Sequence, residues 1–486
     1  MRNSNPNYLA MQPLWDKSYD CYVGTERIKS VERREFYLPK NPSHQRNPKR
    51  YDAFVGRAYY ENVYKPTLND IIGIMQKQNP TIAMEDAPEP VRALEYWGNE
   101  QNDGIRGLKE RVNFMQVLFG RCGLLLDIVT DQVGRDPRFQ IVEYGPHRIL
   151  DGEEFRRYPD SRYELKWVLL DETAEVFDRF QKDWKMAEQY RVLGLDENGH
   201  YYSTVIPQDR WNEFNIERPM IDPGDYPTLN GKFCEFVPFT TVNATKLGIA
   251  NFQMPPFLDL ADTCISMFQN SALLEQGLEF TANPTPVITG ATTQERGKQK
   301  PSKSPDDLGA GTILNIPNPN AKVFHLEVSG SGMALIQNEI KRQKETAAMY
   351  GVRALLGSMG ANASGAALEL RAATGSASIA SIDQAGARGV EEQIVFACSW
   401  AGMTFDQIND KIQFRSNTQY LSENITVQSL VMLLQQSQNF LSRQTLYELL
   451  ESIAPGAIPD YETNLDRMDE ESSLLTTAVP QNLNLL

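Results

Sequence analysis

The segment "PPFLDLADTCISMFQNSALLEQGLEFTA", residues 255–282, predicts a long amphipathic helix. Its apolar residues recur at helical spacing along one stripe, and they are Phe257, Leu260, Ala261, Cys264, Ile265, Phe268 and Ala272. Pro256 lies near the start, where a missing backbone N–H costs nothing. At 1.5 Å per residue, residues 256–281 would extend over about 39 Å, so this helix is long enough to organise the fold around it.

A compact excursion and a second helix follow the first one. The prolines of "NPTPVITG" end the first helix, and Val287–Ile288 begin a strand. The next residues are rich in Pro, Gly and Lys, with short predicted strands at Thr312–Ile316 and Val323–Val328. The second helix has a thinner apolar stripe of Met333, Ile336, Ile340 and Ala347. Two helices that flank an excursion are most simply antiparallel, and such thin stripes leave the pair poorly covered in a monomer.

The residues after this helix pair are rich in small side chains. The stretch "MYGVRALLGSMGANASGAALELRAATGSASIASID" (349–383) interleaves Ala and Leu with Gly, Ser and Asn. Because Gly and Ser permit unusual backbone angles and close approach, it predicts a small mobile loop. A long helix through Met403 follows, then a short polar strand region at 410–419, and finally two helices around 427–440 and 442–454.

The first half of the chain predicts an α+β domain over residues 55–250. Helical spacing from Tyr60 to Met75 recurs in "GIRGLKERVNFMQVLFG" (104–120). The period then changes abruptly into the continuous apolar run "CGLLLDIV" (122–129), which indicates a buried strand. Asn198-Gly199 favours a tight hairpin turn and supplies its positive φ angles.

Residues 1–55 are rich in aromatic and basic residues and contain several prolines. A polar, proline-containing sequence of this kind predicts an arm or extended segment rather than a packed core. Two interpretations stay open for it, a solvated surface segment and a contact with phosphate or a partner.

Composition limits the classes of function. With 41% apolar and 23% charged residues, the 486-residue chain is expected to fold. A net charge of −15 argues against tight binding of nucleic acid, since affinity for phosphates comes mainly from Lys and Arg. The five scattered cysteines indicate neither a disulfide framework nor a zinc site and fit a reducing cytoplasm. No apolar run approaches the roughly 18 residues of a membrane span, so a soluble protein is expected.

Catalytic signatures do not occur in the sequence. It contains no phosphate-binding loop, zinc-protease helix, nucleophile elbow or dinucleotide fingerprint. The histidines, which lie in unrelated contexts, predict structural or surface roles: His44, His147, His200 and His325. "DENG" (196–199) lacks the later glutamate of a calcium loop and indicates a hairpin turn instead. No catalytic residue, metal or cofactor is therefore expected.

The chain resembles the portal proteins of tailed bacteriophages. The resemblance rests on the order of its elements and on several phrases, among them "DCYVGTERIKSVERREFYLPK", "RAYYENVYKPTLNDIIGIMQKQNP", "VLFGRCGLLLDIV", "YRVLGLDENG" and "PPFLDLADTCISMFQNSALLEQGLEFTANPTPVITG". It covers about residues 10–450. It implies an elongated α+β subunit of a ring, usually a dodecamer, at one vertex of the capsid in the virion, assembled in the host cytoplasm.

The resemblance also implies a division of the chain into named parts. These are a wing at 1–255, a first stem helix at 256–281, a clip at 282–330, a second stem helix at 331–350, a tunnel loop at 351–365, a long wing helix with a return strand at 366–424, and a short helical crown with an acidic tail at 425–486.

The resemblance also implies functional roles for residues in three of these parts. The tunnel loop would line a channel for double-stranded DNA with Arg353, Leu355, Leu356, Ser358, Met359, Asn362 and Ser364. The second stem helix would present Lys341, Arg342 and Lys344 to the channel, although pairs with Glu339 and Glu345 on the helix surface are the alternative. The clip would dock the motor and the tail connector through Arg296, Lys298, Lys300 and Lys303.

The implied partners are other copies of the chain, double-stranded DNA, the terminase large subunit, the major capsid and scaffold proteins, and the head–tail connector proteins, with no membrane. The main alternative is a minor capsid or neck protein that forms a ring without lining a DNA channel. An enzyme that uses scattered carboxylates is a third, more distant possibility, and it predicts titratable groups that converge in a pocket.

Overall fold

A computed structural model describes residues 5–417, apart from 78, 99–102, 130–137, 158–161, 179–181, 216–218, 220, 230, 245–251, 283–284, 290–291, 296–297, 302–321, 327–329, 356–364, 405–406 and 409–410. The chain divides into two units, Met1–Ser416 and Asn417–Leu486. The architecture below is that of the first unit. The predicted strand Thr312–Ile316 and the predicted C-terminal helices lie outside the described residues.

Helices occur along most of the described chain. They are α1 (Pro6–Val23), α2 (Thr25–Ile28), α3 (Arg34–Tyr37), α4 (Pro42–Arg46), α5 (Pro48–Arg57), α6 (Tyr64–Met75), α7 (Glu89–Arg92), α8 (Leu94–Trp97), α9 (Gly104–Phe119), α10 (Leu258–Ala282), α11 (Gly330–Leu355) and α12 (Gly365–Trp400). None of the helices in this part of the chain is long and apolar enough to cross a lipid bilayer.

The strands form antiparallel sheets and ribbons. They are β1 (Thr81–Ala83), β2 (Arg121–Val129), β3 (Arg138–Tyr144), β4 (Ile149–Arg157), β5 (Arg162–Asp171), β6 (Ala174–Asp178), β7 (Asp183–Ala187), β8 (Gln189–Leu195), β9 (Tyr201–Pro207), β10 (Thr228–Leu229), β11 (Lys232–Phe233), β12 (Phe239–Asn243), β13 (Thr285–Thr289), β14 (Thr292–Glu295), β15 (Lys298–Pro301), β16 (Lys322–Leu326) and β17 (Gln413–Arg415). The larger sheets have the strand orders β12-β2-β3 and β4-β5-β8-β9. The α+β expectation is confirmed.

The N-terminal residues form packed helices, so the expected extended arm is wrong. Trp15, Tyr37 and Tyr51 of α1, α3 and α5 are almost fully buried. The basic residues of this region neutralise a buried carboxylate, because Asp20 lies 3.0 Å from Arg27 and 3.3 Å from Arg33. Arg27 and Arg33 are among the basic residues that made this segment look solvent-exposed, and both pair with a buried carboxylate of its core.

The central strand of the first sheet is confirmed as a buried strand. In β2, Leu124, Leu125 and Leu126 are all fully buried. Leu125 lies opposite Phe239 of β12 on one side and opposite Val142 of β3 on the other. Helix α9 leads directly into β2, and it ends at Gly120, which has a φ of +79° that favours glycine. The abrupt change of period in the sequence thus marks a helix-to-strand turn.

The predicted hairpin is present as β8 and β9. Gly199 has a φ of +80°, whereas Asn198 does not have a positive φ, so only one residue of the predicted pair supplies it. The Asp196 carboxylate accepts hydrogen bonds from the backbone N–H groups of Asn198 (2.9 Å) and His200 (2.8 Å). The acidic residue thus holds the turn, as the hairpin interpretation of 196–199 requires.

Helix α12 packs unusually close to the body of the unit. A Cβ on Gly389 would lie 2.3 Å from Val242 of β12, and one on Gly386 would lie 2.6 Å from Asn113 and Gln116 of α9. At the same level the buried Lys109 ammonium lies 2.6 Å from Asp383. Asp383 also accepts a hydrogen bond from Asn113 Nδ2 (2.8 Å) and contacts the hydroxyl of Ser416. The position of α12 is thus fixed by a buried ion pair and two glycines.

Replacing Asp383 with Ala should strongly destabilise the first unit. The change leaves the Lys109 ammonium buried without its carboxylate, which costs about 3–5 kcal/mol. Chemical denaturation measures the loss. The double variant Lys109→Met/Asp383→Leu should recover most of it, because neither charge is then buried alone. Lys411→Ala, which removes an exposed pair with Asp86, should cost less than about 1 kcal/mol. An Asp383→Ala loss as small as that of Lys411→Ala would contradict this role.

Glu392 of α12 should make stability fall as the pH rises. Burial raises the pKa of Glu392, and Thr240 opposes the shift only in part. The pKa of Glu392 is higher in the folded than in the unfolded state. Below the unfolded pKa its ionisation therefore costs no stability, and as the pH rises from there to the folded pKa the free energy of unfolding falls. Glu392→Gln should therefore raise the melting temperature at about pH 7 and leave it unchanged at about pH 4.

A control of opposite sign is available in the second large sheet. Hydrogen bonds from Trp167 and Lys166 lower the pKa of Glu153. Its contribution to stability is present above the unfolded pKa and is lost as the pH falls, so Glu153→Gln should slightly lower the melting temperature at about pH 7. The same response from both variants would refute the assignment of Glu392.

Candidate functional site

Helices α10 and α11 form an antiparallel pair, as predicted. Gln343 of α11 donates a hydrogen bond to Ser266 Oγ (2.8 Å) and accepts one from Asn270 Nδ2 (3.1 Å). Further along α10, a Cβ on Gly277 would lie 3.1 Å from Met333. The residue numbers of the contacting positions therefore rise along α10 while they fall along α11, as in an antiparallel pair. The missing side chain at Gly277 lets the two helices approach at Met333.

The first half of α10 is embedded in the N-terminal helices. Its buried residues face these helices, and they are Leu260, Ala261, Cys264, Met267, Phe268 and Ala272. Polar contacts also join it to the body, including Lys17–Asp262 (2.7 Å) and Gln269 Nε2 to the carbonyl oxygen of Tyr37 (2.9 Å). The pair is thus anchored at one end by both apolar and polar contacts.

The other half of the pair is poorly covered. Beyond Ala272, no residue of α10 whose side chain the structure describes is buried, and the same holds for residues 331–342 of α11. Apolar side chains remain exposed there: Leu273 is 50% exposed, Leu278 41% and Leu335 71%. The expectation of poor coverage in a single chain is confirmed, and these leucines leave an apolar surface on the pair.

Two β-ribbons lie in the connection between α10 and α11. Strand β13 pairs with β16, with Val287 opposite Phe324, which confirms the predicted strand at 287–288. Strand β14 pairs with β15, where Lys298 lies opposite Glu295 and Lys300 opposite Thr293. Arg296 and Lys303, the other predicted docking residues, lie outside the described residues.

The basic residues of α11 are mostly neutralised within the chain. Arg342 lies 2.6 Å from Glu339, one turn away, which confirms the interpretation as a pair on the helix surface. Lys344 pairs at 2.7 Å with Glu61 of the N-terminal region, a partner that the sequence did not indicate. Lys341 is exposed and forms no ion pair with any described residue. Among the side chains of this pair that the structure describes, Lys341 is therefore the basic group without an ion pair.

The first residues of the predicted loop are helical. Helix α11 continues to Leu355, so Arg353 and Leu355 are helical rather than part of a loop. Helix α12 begins at Gly365. The remaining predicted loop residues, Leu356, Ser358, Met359, Asn362 and Ser364, lie outside the described residues. The helix extends because Val352, Arg353, Ala354 and Leu355 are all compatible with helix, and glycine first recurs at position 357.

A cavity of 710 Å³ lies beside the β8–β9 hairpin. Two of its carboxylates already serve the fold, since Asp196 holds the hairpin turn and Glu153 accepts hydrogen bonds from Trp167 Nε1 (2.9 Å) and Lys166. No serine, threonine, cysteine or histidine is among the described residues that line it. Across the described ranges, no group of three or more His, Cys, Asp or Glu could hold a metal ion. Among the described lining residues, no serine, threonine or cysteine nucleophile lies beside a base.

Two of the histidines pack against aromatic side chains of the fold. His147 Nε2 lies 3.1 Å from Asp16, and its ring contacts those of Trp15 and Phe119 edge-on. His44 is buried against Phe54, with a distance of 4.8 Å between ring centroids. These positions agree with the structural roles that the sequence predicted.

Sequence reasoning missed Gln343, although a signal was present. The apolar stripe of α11 reads 333, 336, 340 and 347, and position 343 completes its alternating spacing of three and four residues. Because glutamine is polar, it was not counted as part of the stripe. Its burial follows from its two hydrogen bonds to α10.

Replacing Gln343 with Ala should loosen the helix pair. Ser266 and Asn270 lose their partner, which costs about 1–2 kcal/mol in the free energy of unfolding. Hydrogen exchange of the amides of α10 and α11 measures the effect and should show faster exchange in both helices. Gln337→Ala is the matched control, because Gln337 is exposed on the same helix. Equal exchange in the two variants would show that Gln343 does not fix the pair.

A family described as "Domain of unknown function (DUF4055)" matches residues 256–401, from the start of α10 to the end of α12. The match covers less than half of the 486 residues. No curated protein matches the sequence.

Three solved structures are similar to the chain at low identity. One is the neck of an empty gene transfer agent (GTA) particle computed with C6 symmetry, with 13% identity, a TM-score of 0.35, and coverage of 83% of this chain and 94% of that chain. A second is the virion of a native GTA particle, with 13% identity, a TM-score of 0.35, and coverage of 85% and 91%. The third is the neck of a native GTA particle computed with C12 symmetry, with 12% identity, a TM-score of 0.37, and coverage of 82% and 90%. At these TM-scores the similarities carry no argument about function.

Proposed function

We propose that the chain is a structural protein of a phage-like head–tail junction, and more specifically a portal subunit. The observation that carries the proposal is the antiparallel pair α10–α11, which is anchored in the α+β body at one end and joined through β-ribbons in its connection. The sequence resemblance supplies the same order of parts. In this proposal the pair is the stem, the ribbons belong to the clip, and α12 is the long wing helix.

A ring of identical subunits explains the incompletely covered pair. Leu273, Leu278 and Leu335 are exposed in a single chain, and neighbouring copies in a closed ring would remove them from water. Each fully buried leucine stabilises an assembly by about 1.5–3 kcal/mol. The proposed assembly is a homo-oligomer, usually twelve copies in this family, at one vertex of the capsid.

The charge pattern of α11 supports a channel that does not hold DNA tightly. Glu339 and Glu61 neutralise Arg342 and Lys344, which leaves Lys341 to contact phosphate. With −15 per copy, twelve copies carry about −180, and such a field opposes adhesion of the phosphate backbone. We propose that double-stranded DNA passes through this ring during packaging and ejection. The terminase and the connector proteins would dock at the clip, where Arg296, Lys298, Lys300 and Lys303 lie in the sequence.

The first test is the mass and shape of the purified chain. Twelve copies of 55.0 kDa would give a ring of about 660 kDa with a central hole. Light scattering gives the mass, and negative-stain imaging gives the shape. A compact monomer at all concentrations, together with capsids that lack the protein, would contradict the proposal.

Shortening the segment Leu356–Ser364 tests the DNA channel separately from assembly. Because α11 ends at Leu355 and α12 begins at Gly365, the deletion stays between the two helices. We expect rings to form and DNA content per particle to fall severalfold. The matched control replaces the same residues with a Gly/Ser segment of equal length, which should package normally because it keeps small side chains. Normal DNA content after the deletion would favour the alternative, a neck or minor capsid ring without a channel role.

A further inference from the structure

A basic surface segment stands out on this acidic chain. Residues 40–50, "KNPSHQRNPKR", contain four lysines and arginines and no acidic residue, whereas the chain as a whole carries −15. The segment forms α4 and the first turn of α5, and Arg46, Lys49 and Arg50 are all exposed. It belongs to residues 1–55, for which the sequence left open a contact with phosphate or a partner.

The fold holds this segment in a defined shape. The Asn41 side chain accepts a hydrogen bond from the backbone N–H of His44 (2.9 Å), and Asn47 caps α5 at Arg50 (3.4 Å). His44 is buried against Tyr51 and Phe54, with ring centroids 5.6 and 4.8 Å apart. The basic side chains are therefore carried by an anchored turn between two helices, and little ordering is needed before they can bind a ligand.

Several other basic residues of this region already have acidic partners. The ion pairs are Arg27–Asp20, Arg33–Asp16, Arg34–Asp52, Lys40–Glu35 and Arg57–Glu279. Arg46 and Lys49 differ, because neither forms an ion pair with any residue that the structure describes. This turn therefore carries two exposed positive charges that no described carboxylate neutralises.

One of these charges also lies where a helix disfavours it. Lys49 is in the first turn of α5, which contains no acidic residue. The helix dipole makes cations unfavourable there by about 0.3–1 kcal/mol each. Local stability does not explain this placement, whereas an anionic partner would relieve it.

We propose that Arg46 and Lys49, with Arg50 beside them, bind the phosphate backbone of duplex DNA at a surface separate from the proposed channel. Phosphate is favoured over an acidic protein because each Lys or Arg that contacts DNA releases condensed counterions. Exposed ion pairs between proteins contribute little by comparison. Tyr51 and Phe54 are buried and cannot stack on bases, so the contact reads the backbone and has no sequence preference. This surface uses none of the residues assigned to the channel.

Binding of a small closed circular duplex to the full chain tests the proposal, because closed DNA cannot thread a preassembled ring. Filter binding over a series of NaCl concentrations gives the affinity and its salt dependence. In Arg46→Gln/Lys49→Gln, we expect affinity at low salt to fall on the order of tenfold and the slope of log K against log[salt] to decrease by about 2.

The matched control is Lys166→Gln/Lys411→Gln, which changes the net charge equally at two exposed lysines that have acidic partners. It should bind DNA like the unmodified chain, and both variants should unfold cooperatively, with melting temperatures within a few degrees of that chain. Equal losses in the two variants, or an unchanged salt slope in Arg46→Gln/Lys49→Gln, would overturn the proposal. Binding of poly-glutamate as tight as that of DNA at equal charge would also overturn it, in favour of an acidic protein partner.

Loss of binding in Lys341→Gln with no change in Arg46→Gln/Lys49→Gln would place the DNA contact on α11 instead and would likewise overturn the inference. The ring measurement described above does not depend on any of these results. Failure of this surface and failure of the portal proposal are therefore distinguishable.

Discussion

The buried pair Lys109–Asp383 is the interaction on which the arrangement of the described unit depends. It joins α9, which leads into the central strand β2, to α12, which follows the helix pair. A buried ion pair adds little net stability compared with apolar packing, but it tolerates only one geometry. Together with the close approach at Gly386 and Gly389, it fixes the position of α12 along α9 and β12. Ser416 contacts the same carboxylate, so the end of the first unit is fixed at this point too.

The helix pair α10–α11 shows how one element can serve both the fold and an assembly. Near the body it is held by buried apolar residues and by the two hydrogen bonds of Gln343. Away from the body it keeps exposed leucines, which are unfavourable in an isolated chain and useful in a ring. The polar contacts fix how the helices align, and the apolar surface remains for a neighbour. This combination supports an assembly subunit better than an enzyme.

Most of the basic charge near the helix pair is balanced by carboxylates of the same chain. Most arginines and lysines near the helix pair are neutralised by a carboxylate from another part of the chain, as Lys344 is by Glu61 and Arg57 by Glu279. A surface of this kind lets a polyanion pass without holding it. Arg46 and Lys49 form no ion pair with any described residue, and they lie on α4 and α5 rather than on the helix pair. The two proposed relations to DNA, passage and contact, therefore use separate residues.

The sequence alone determined the types and approximate bounds of the long elements. Periodicity and turn residues are local properties, so α6, α9, α10, α11, α12, β2 and the β8–β9 hairpin could all be predicted. Only the tertiary structure showed that residues 6–57 are packed helices, that Gln343 is buried, and that Lys344 pairs with Glu61. The partners in these contacts lie far apart in the chain: Lys109 and Asp383 are separated by 274 positions, and Lys17 and Asp262 by 245. A local pattern shows that a residue is charged or apolar, but its partner is chosen by the packing of distant elements.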